Sequence, residues 1–266
     1  MTKDLKEFYT GYADNINAKR LYSEYGVRRY AHFCQYSSVL AQVKLGDRVL
    51  DAGCGEGSLS VMLAKKGAIV VGTDISEPNI VAARAYAEQN GVDITFHVAD
   101  IENLPFETNT FDVVVSSHVL EHIPDFDKGL HEIVRVSKAK VVVAIPTILN
   151  LCSFVQVGGG HYYLKGLRSF RNFFYGFLLM FGALVMGKEG VDEGYAGNGV
   201  VHIFRFPWIF RKKLLRYNYT LVKQEASSLC IPFFEFLIPL SKMLDKFKHL
   251  PILREFGYGT TYVIKK

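Results

Sequence analysis

The sequence predicts an α/β fold built on a mostly parallel sheet with helices on both faces. Three observations predict it. Short apolar runs alternate with helical patterns from residue 48 to residue 145, the rhythm of βαβ units in a doubly covered sheet. The first apolar run ends in Asp51-Ala52-Gly53-Cys54-Gly55-Glu56-Gly57, where glycines at alternate positions allow a sharp turn into a helix. The first three strands also close on acids, at Asp51, Asp74 and Asp100.

The elements follow in order. A helix is expected over 24–44, and Gly46-Asp47 turns the chain into a strand at 48–52. After it come a helix at 57–66, a strand at 68–73, a helix at 77–90, strands at 93–99 and 111–116, a helix at 126–137 and a strand at 140–145. A helix near Pro207–Tyr217 precedes a strand at Thr220–Ala226 and a last strand at Tyr258–Ile264. No internal repeat or low-complexity segment interrupts this layout.

The glycine loop carries the first functional signal. Bare main chain lets a ligand lie close, and the amides and positive dipole end of the following helix suit a carboxylate. A dinucleotide loop reads G-x-G-x-x-G, whereas the third glycine here comes one residue early, at Gly57, with Ser58 after it. The run Val49 to Gly57, followed by Thr73-Asp74-Ile75-Ser76 and Asp100-Ile101, resembles the cofactor site of class I S-adenosylmethionine-dependent methyltransferases, in particular their small-molecule "type 11"-like members. That resemblance covers 30–150 and resumes at 200–266. It implies a Rossmann-like seven-stranded sheet whose last strand enters antiparallel, with S-adenosylmethionine as cofactor.

The residues implied for cofactor binding are Asp51, Gly53, Cys54, Gly55, Gly57, Asp74, Ile75, Asp100, Ile101 and Ser117. Asp74 suits the two ribose hydroxyls. Asp100 can accept from the adenine amino group while Ile101 covers the ring, although an acid at that position also serves as a simple helix cap. Cys54 reads as a small packing residue rather than a nucleophile.

The fourth strand runs into Ser117-His118-Val119-Leu120-Glu121-His122-Ile123-Pro124, which resembles the boundary between cofactor and acceptor in many small-molecule methyltransferases. As a helix this segment would place His118, Glu121 and His122 on one face, where a neutral imidazole can take a proton from an acceptor hydroxyl. The alternatives are that Glu121 and His122 chiefly hold the segment to the sheet, or that the three bind a divalent metal. Ubiquinone-pathway O-methyltransferases are similar here but carry an acid in place of His118, so no metal is expected. Cyclopropane-forming relatives carry a similar segment, which keeps C-methylation or cyclopropanation of a lipid chain as an alternative chemistry. His202 resembles a histidine that often lies near the acceptor in this family, and also suits a helix cap. His161, after Gly158–Gly160, is a weaker candidate on a lid-like loop.

Composition sets the surroundings. Residues 1–150 carry 15 Lys and Arg against 19 Asp and Glu, a balance of −4, while 151–266 carry 16 against 7, a balance of +9. A basic second part suggests an anionic partner or membrane surface. Cys34, Cys54, Cys152 and Cys230 are isolated in sequence, and the N-terminus does not read as a signal peptide, so a cytoplasmic setting is expected. No Asn/Asp-Pro-Pro-Tyr/Phe motif or RNA-binding module is present, so no nucleic-acid partner is expected.

The expected organisation is a cofactor-binding core at 1–146, an apolar cap insertion at 147–200, and a return to the core at 201–266 carrying a second insertion at 229–256. Both insertions leave from the carboxyl edge of the sheet in the family fold and should overhang the site. Phe173 to Met186 is fourteen residues without a charge, about 21 Å as a helix and short of the roughly 30 Å hydrocarbon core. Leu240, Met243, Leu244, Phe247 and Leu250 keep helical spacing among Lys242, Lys246 and Lys248, a basic amphipathic pattern suited to anionic lipid and equally to an ordinary surface helix. The expected activity is methylation of a hydrophobic or lipid-linked small molecule, O-methylation being preferred, with peripheral contact to the inner face of an anionic membrane. A non-catalytic cofactor-binding, membrane-associated protein is the alternative from another class.

Overall fold

The computed structural model describes residues 22–159, 167–193 and 201–266, without the side chains of 167 and 168. In chain order the elements are α1 (Gly26–Leu40), β1 (Arg48–Ala52), α2 (Ser58–Lys65), β2 (Ile69–Asp74), α3 (Glu77–Gln89), β3 (Thr95–Val98), β4 (Phe111–Ser117), α4 (Phe126–Val136) and β5 (Ser137–Pro146). They continue with α5 (Leu151–Val157), α6 (Leu167–Val185), β6 (Gly190–Asp192), β7 (Ile203–Arg205), α7 (Pro207–Arg216), β8 (Thr220–Ala226), α8 (Ile238–Asp245) and β9 (Gly259–Lys265). Residues 36–143 and 263–266 form one compact unit; 22–35 and the described part of 144–262 form the other.

Seven strands share one mostly parallel sheet in the order β3-β2-β1-β4-β5-β9-β8. β1 pairs in parallel with β2 (Val49 with Val70) and with β4 (Val49 with Val113), and β2 pairs in parallel with β3. Strand order therefore reverses at β1, and open sheets of this kind bind ligands outside the carboxyl ends of the strands at that switch. The near-continuous apolar character of β1, β4 and β5 follows from burial on both faces: Val49, Leu50, Val113, Val114, Val115, Val141 and Val142 are all buried. Helices start where the sequence supplies caps. The Ser76 hydroxyl accepts from Asn79 N at the head of α3, and the Asp125 carboxylate accepts from Lys128 N at the head of α4.

The second unit has its own core around Ile148, Phe154, Met180, Phe204 and Phe206, beside a small antiparallel ladder of β6 and β7. α5 and α6 cross with their backbones in contact. A Cβ at Gly176 would lie 1.8 Å from the Phe154 carbonyl oxygen, so only glycine fits there. The charge-free run beginning at Phe173 is part of a longer helix than its composition suggested, because α6 begins at Leu167. No helix among the described residues is long and apolar enough to cross a membrane. Cys152 and Cys230, isolated in the sequence, meet here as buried thiols with their sulfurs 3.1 Å apart.

Candidate functional site

The site in the first unit begins where β1 ends. Gly53, Gly55 and Gly57 take φ values of +83°, +52° and +78°, and the amides of Gly53 and Cys54 both donate to Thr73 O, at 2.7 and 2.8 Å. Gly53 has no room for a side chain: a Cβ there would stand 2.3 Å from Cγ2 of Val119. Gly57 heads α2 without a side-chain cap, which leaves first-turn amides for a carboxylate ligand.

The acids named from sequence converge on this loop. Asp74 Oδ2 accepts from Gly55 N at 2.9 Å, and its Oδ1 accepts from Ser76 N at 2.9 Å and Asn79 Nδ2 at 3.2 Å. Burial raises the Asp74 pKa while these three hydrogen bonds pull it down. Asp51 is fully buried and accepts from Ser60 Oγ at 2.6 Å. Burial lifts its pKa from 3.8 to about 6, with the Ser60 hydrogen bond opposing and the charge of Asp74 adding. Ile75 follows on the same strand end and is partly buried. Asp100 Oδ1 accepts from Glu102 N at 2.9 Å, a local turn bond, and Ile101 is buried beside it. Cys54 packs among Val61, Ile80, Ala83 and Phe96, and burial, then the charges of Asp51 and Asp74, push its thiol well above the usual range. That suits a packing residue and not a nucleophile.

At the end of β4, Ser117 leads into a segment that is not the helix considered from sequence. His118 has φ +58°, a left-handed conformation that a helix cannot continue through, and residues 120–122 form a turn closed by His122 N donating to Val119 O at 2.9 Å. The helix waits for the Asp125 cap, beyond Pro124. The turn nevertheless gathers the three polar residues. His118 Nδ1 lies 3.2 Å and His122 Nε2 4.0 Å from Oε1 of Glu121, whose side chain is 0% exposed. Leu120 and Ile123 anchor the turn: a Cβ on Gly129 of α4 would meet both. Ser116 Oγ and His118 Nε2 are buried without a hydrogen-bond partner, which is costly unless a ligand supplies one. With the glycine cradle and Asp74, these orphaned atoms make the strand ends fit a polar cofactor such as S-adenosylmethionine.

His202 belongs to the second unit, directly before β7, and is 6% exposed. Its Nδ1 lies 2.5 Å from Oε2 of Glu193. The backbone holds the pair in register: His202 N donates to Asp192 Oδ1 at 3.1 Å, and Glu193 N donates to His202 O at 2.9 Å. His161 lies outside the described residues.

Sequence reasoning missed several contributors. Ser60 and Asn79 carry no motif, although they sit nine and five residues from the acids they bond. Val119 was assigned no role, yet it is the wedge that leaves Gly53 no room for a side chain. Glu193 had no sequence signal at all.

Residues 50–145 match the family model described as a methyltransferase domain. A ubiquinone biosynthesis O-methyltransferase of Coxiella burnetii (strain RSA 493 / Nine Mile phase I) is 48% identical over 80 residues, covering 30% of this chain and 34% of that protein. Its counterpart in Hahella chejuensis is 39% identical over 125 residues, covering 46% and 52%. The chain thus spans about a third to a half of the length of these curated relatives. In fold, the chain is similar to the magnesium protoporphyrin IX methyltransferase of Synechocystis PCC 6803 solved with bound S-adenosylmethionine. The TM-score is 0.58 and the identity 17%, with 100% of this chain and 96% of that one covered.

Proposed function

We infer that this chain, whose residues 50–145 match a methyltransferase domain, is a class I S-adenosylmethionine-dependent methyltransferase that methylates a hydroxyl oxygen on a hydrophobic, lipid-linked small molecule. The observation that carries the reading is the bond from Gly55 N to Asp74 Oδ2, which joins the glycine loop to the acid suited to the ribose. The O-methyltransferase names of the matched relatives support oxygen as the atom methylated. They also support a hydroxylated ring with a prenyl tail as the acceptor class.

When bound, S-adenosylmethionine would supply a reactive sulfonium methyl group for the acceptor oxygen and would leave as S-adenosylhomocysteine. The chain's own residues have three tasks. The Gly53–Gly57 loop and the head of α2 hold the cofactor carboxylate, Asp74 holds the ribose, and Asp100 with Ile101 holds the adenine. Orientation in a dry site supplies most of the rate, since the methyl donor is already reactive. The hydroxyl proton passes to an imidazole. His202 suits this task better than His118 or His122, because those two share the one carboxylate of Glu121 whereas Glu193 contacts His202 at 2.5 Å.

The second unit supports an apolar partner. Phe174, Phe177, Leu178, Phe181 and Val185 of α6 are exposed, and the ring of Phe170 stacks on Phe233 at 4.9 Å, joining the two insertions. Phe236, Met243 and Phe247 extend this exposed apolar surface, with Lys242 and Lys246 exposed among them. The arrangement suits peripheral contact with an anionic membrane, from which a lipid-linked acceptor would be drawn.

Incubation with S-adenosylmethionine and a short-chain prenylated catechol tests the reading. The expected result is S-adenosylhomocysteine and O-methylated product in equal amounts. Bound cofactor with no turnover over a panel of hydroxylated prenyl rings, or a methyl group found on carbon, would overturn it.

A further inference from the structure

We propose that Cys152 and Cys230 are a redox-sensitive pair that closes to a disulfide under peroxide, clamping the start of α5 to the segment that opens the second insertion. The two thiols come from separate parts of this unit, 78 residues apart, yet their sulfurs lie 3.1 Å from each other. Even carbon atoms rest against one another only at about 3.5–4.0 Å, so the two larger sulfur atoms are nearer than packing alone would set them. A closure of about 1 Å reaches the roughly 2.05 Å of a disulfide bond.

One side chain holds the two cysteines in this register. Asn150 Oδ1 accepts from Cys152 N at 2.8 Å, and Asn150 Nδ2 donates to Cys230 O at 3.4 Å and to Phe256 O at 2.9 Å. The Cys152 thiol also reaches Cys230 O, at 3.6 Å. Both cysteines are buried in a small core with Val27, Ala31, Val155 and Tyr258, and close packing leaves the sulfurs little room to move apart. Three residues beyond Cys230 the backbone is strained: Phe233 has φ +77°, an outlier for a bulky side chain. Its ring is stacked on Phe170 of α6. A covalent anchor at Cys230 would oppose release of that strain.

The reaction balances with a peroxide as oxidant. Hydrogen peroxide converts one thiol to a sulfenic acid and releases a water; the second sulfur then attacks the first, the S–O bond breaks, and a second water leaves. Two electrons pass from the sulfurs to the peroxide O–O bond, and both thiol protons depart in the waters. Burial sets the pace. The reacting species is the thiolate, and burial, then the hydrogen bond and charge of Cys230, push the Cys152 thiol well above its usual range. The pair therefore answers to sustained oxidant and not to a brief pulse, and the closed bond is shielded from reductants by the same core. Under reducing conditions the pair stands as two thiols, the state seen here. The bridge does not depend on which acceptor the chain methylates.

The experiment treats the whole folded chain with hydrogen peroxide, blocks the remaining thiols under denaturing conditions, and maps the peptides by mass spectrometry before and after dithiothreitol. The wild type is expected to give one linked pair of peptides, joining Cys152 to Cys230, lighter by two hydrogens and separated again by the reductant. Tm should rise by about 4–16 °C on oxidation, the usual effect of a disulfide in domains of this order. Amide exchange over 150–158 and 229–233 should slow, while the glycine loop at 53–57 in the other unit keeps its rate. Cys152→Ser and Cys230→Ser should each abolish the link and both effects, and Cys34→Ser should keep them. Should a serine variant fail to fold, wild-type protein oxidised in urea is the reference, with mixed pairing among the four cysteines against a single link in the folded chain. Folded protein that leaves Cys152 and Cys230 unlinked under peroxide that oxidises the unfolded chain would overturn the pair, as would linkage to Cys34 or Cys54 or oxidation that dithiothreitol does not reverse. A link between Cys152 and Cys230 with unchanged Tm and unchanged exchange would overturn the clamp.

Discussion

In residues 36–143 the polar contacts that shape the site close over short stretches of chain. Ser60 reaches Asp51 nine residues back, and Gly55 reaches Asp74 nineteen residues on. In the other unit some polar contacts span far more of the sequence, Asn150 donating to Phe256 O across 106 residues, Gly26 to Glu235 across 209 and Tyr30 to Asp245 across 215, although His202 lies only nine residues from Glu193. The first unit carries its chemistry in motifs, because a strand end, a turn and a helix start must lie together for the loop to exist. The second assembles several of its polar groups only after the chain has returned, so its chemistry depends more on tertiary structure. Substitutions in the first should therefore act on cofactor binding and local stability, and substitutions in the second on turnover and on the acceptor.

The largest expected effect tests the second unit. His202→Ala should lower turnover by roughly 10²–10⁴, equivalent to about 3–5 kcal/mol in the barrier, with cofactor affinity nearly unchanged. Calorimetric titration with S-adenosylhomocysteine beside steady-state rates separates the two. A parallel loss of both would show that the division of labour between the units is wrong.

Next is a pH effect confined to the glycine loop. The folded-state pKa of Asp51 is raised from 3.8 to about 6, so the folded chain holds a proton that the unfolded chain releases between those values. Stability therefore falls as pH rises through that window, and above about pH 6 the folded protein carries an ionised, buried Asp51 beside Asp74. Asp51→Asn keeps an acceptor for Ser60 and removes the charge. Its stability advantage in denaturant titrations should be absent below pH 3.8 and grow to about 3 kcal/mol at most above pH 6, at 1.36 kcal/mol for each pKa unit. An advantage that does not vary with pH would contradict the origin assigned to it.

Asp74→Ala then probes cofactor binding. The lost carboxylate removes the acceptor for Gly55 N and, on the proposed reading, the ribose contact. Affinity for S-adenosylmethionine should weaken by about 1.5–3 kcal/mol, the range for hydrogen bonds to a charged group. Unchanged affinity by calorimetry would sink the assignment of this strand end to the ribose.

The contrast between the units also explains what the sequence could reveal. β1 at 48–52 and β8 at 220–226 fall where their patterns put them, because alternation between apolar runs and turn residues is a local signal. Asp51, Asp74 and Asp100 were visible for the same reason, each lying within two residues of a strand end. The turn at 118–122, with a φ of +58° at His118, was not, since it brings Val119, beyond β4, against Gly53, beyond β1, a contact that no local pattern records. Only Pro124-Asp125 hinted that the helix begins later. Glu193 was invisible because its partners lie at 156 and 202, and the Cys152–Cys230 contact because 78 residues separate the thiols.

The smallest effects per residue concern the exposed apolar surface, where the units differ most. Phe174 is 63% exposed and Phe236 75%, and aromatic side chains this large are costly to leave in water unless a partner covers them at work. Lys242 and Lys246 stand exposed on the same insertion as Phe236, so the proposed contact with anionic lipid would satisfy both the apolar and the charged groups. The attraction is about 1 kcal/mol for each basic residue near the surface, and it is screened by salt. Flotation with vesicles containing an anionic phospholipid should therefore recover the protein at low salt and lose it progressively as salt rises. Lys242→Glu with Lys246→Glu should shift that loss to lower salt, while Phe174→Ser with Phe181→Ser should weaken binding at every salt concentration, because apolar burial is not screened. Equal flotation of both double variants with the wild type would leave this surface without a role at the membrane. Turnover of a short-tailed acceptor in free solution should be unaffected by either pair, since none of the four residues belongs to the glycine loop, the β4 turn or the His202–Glu193 pair.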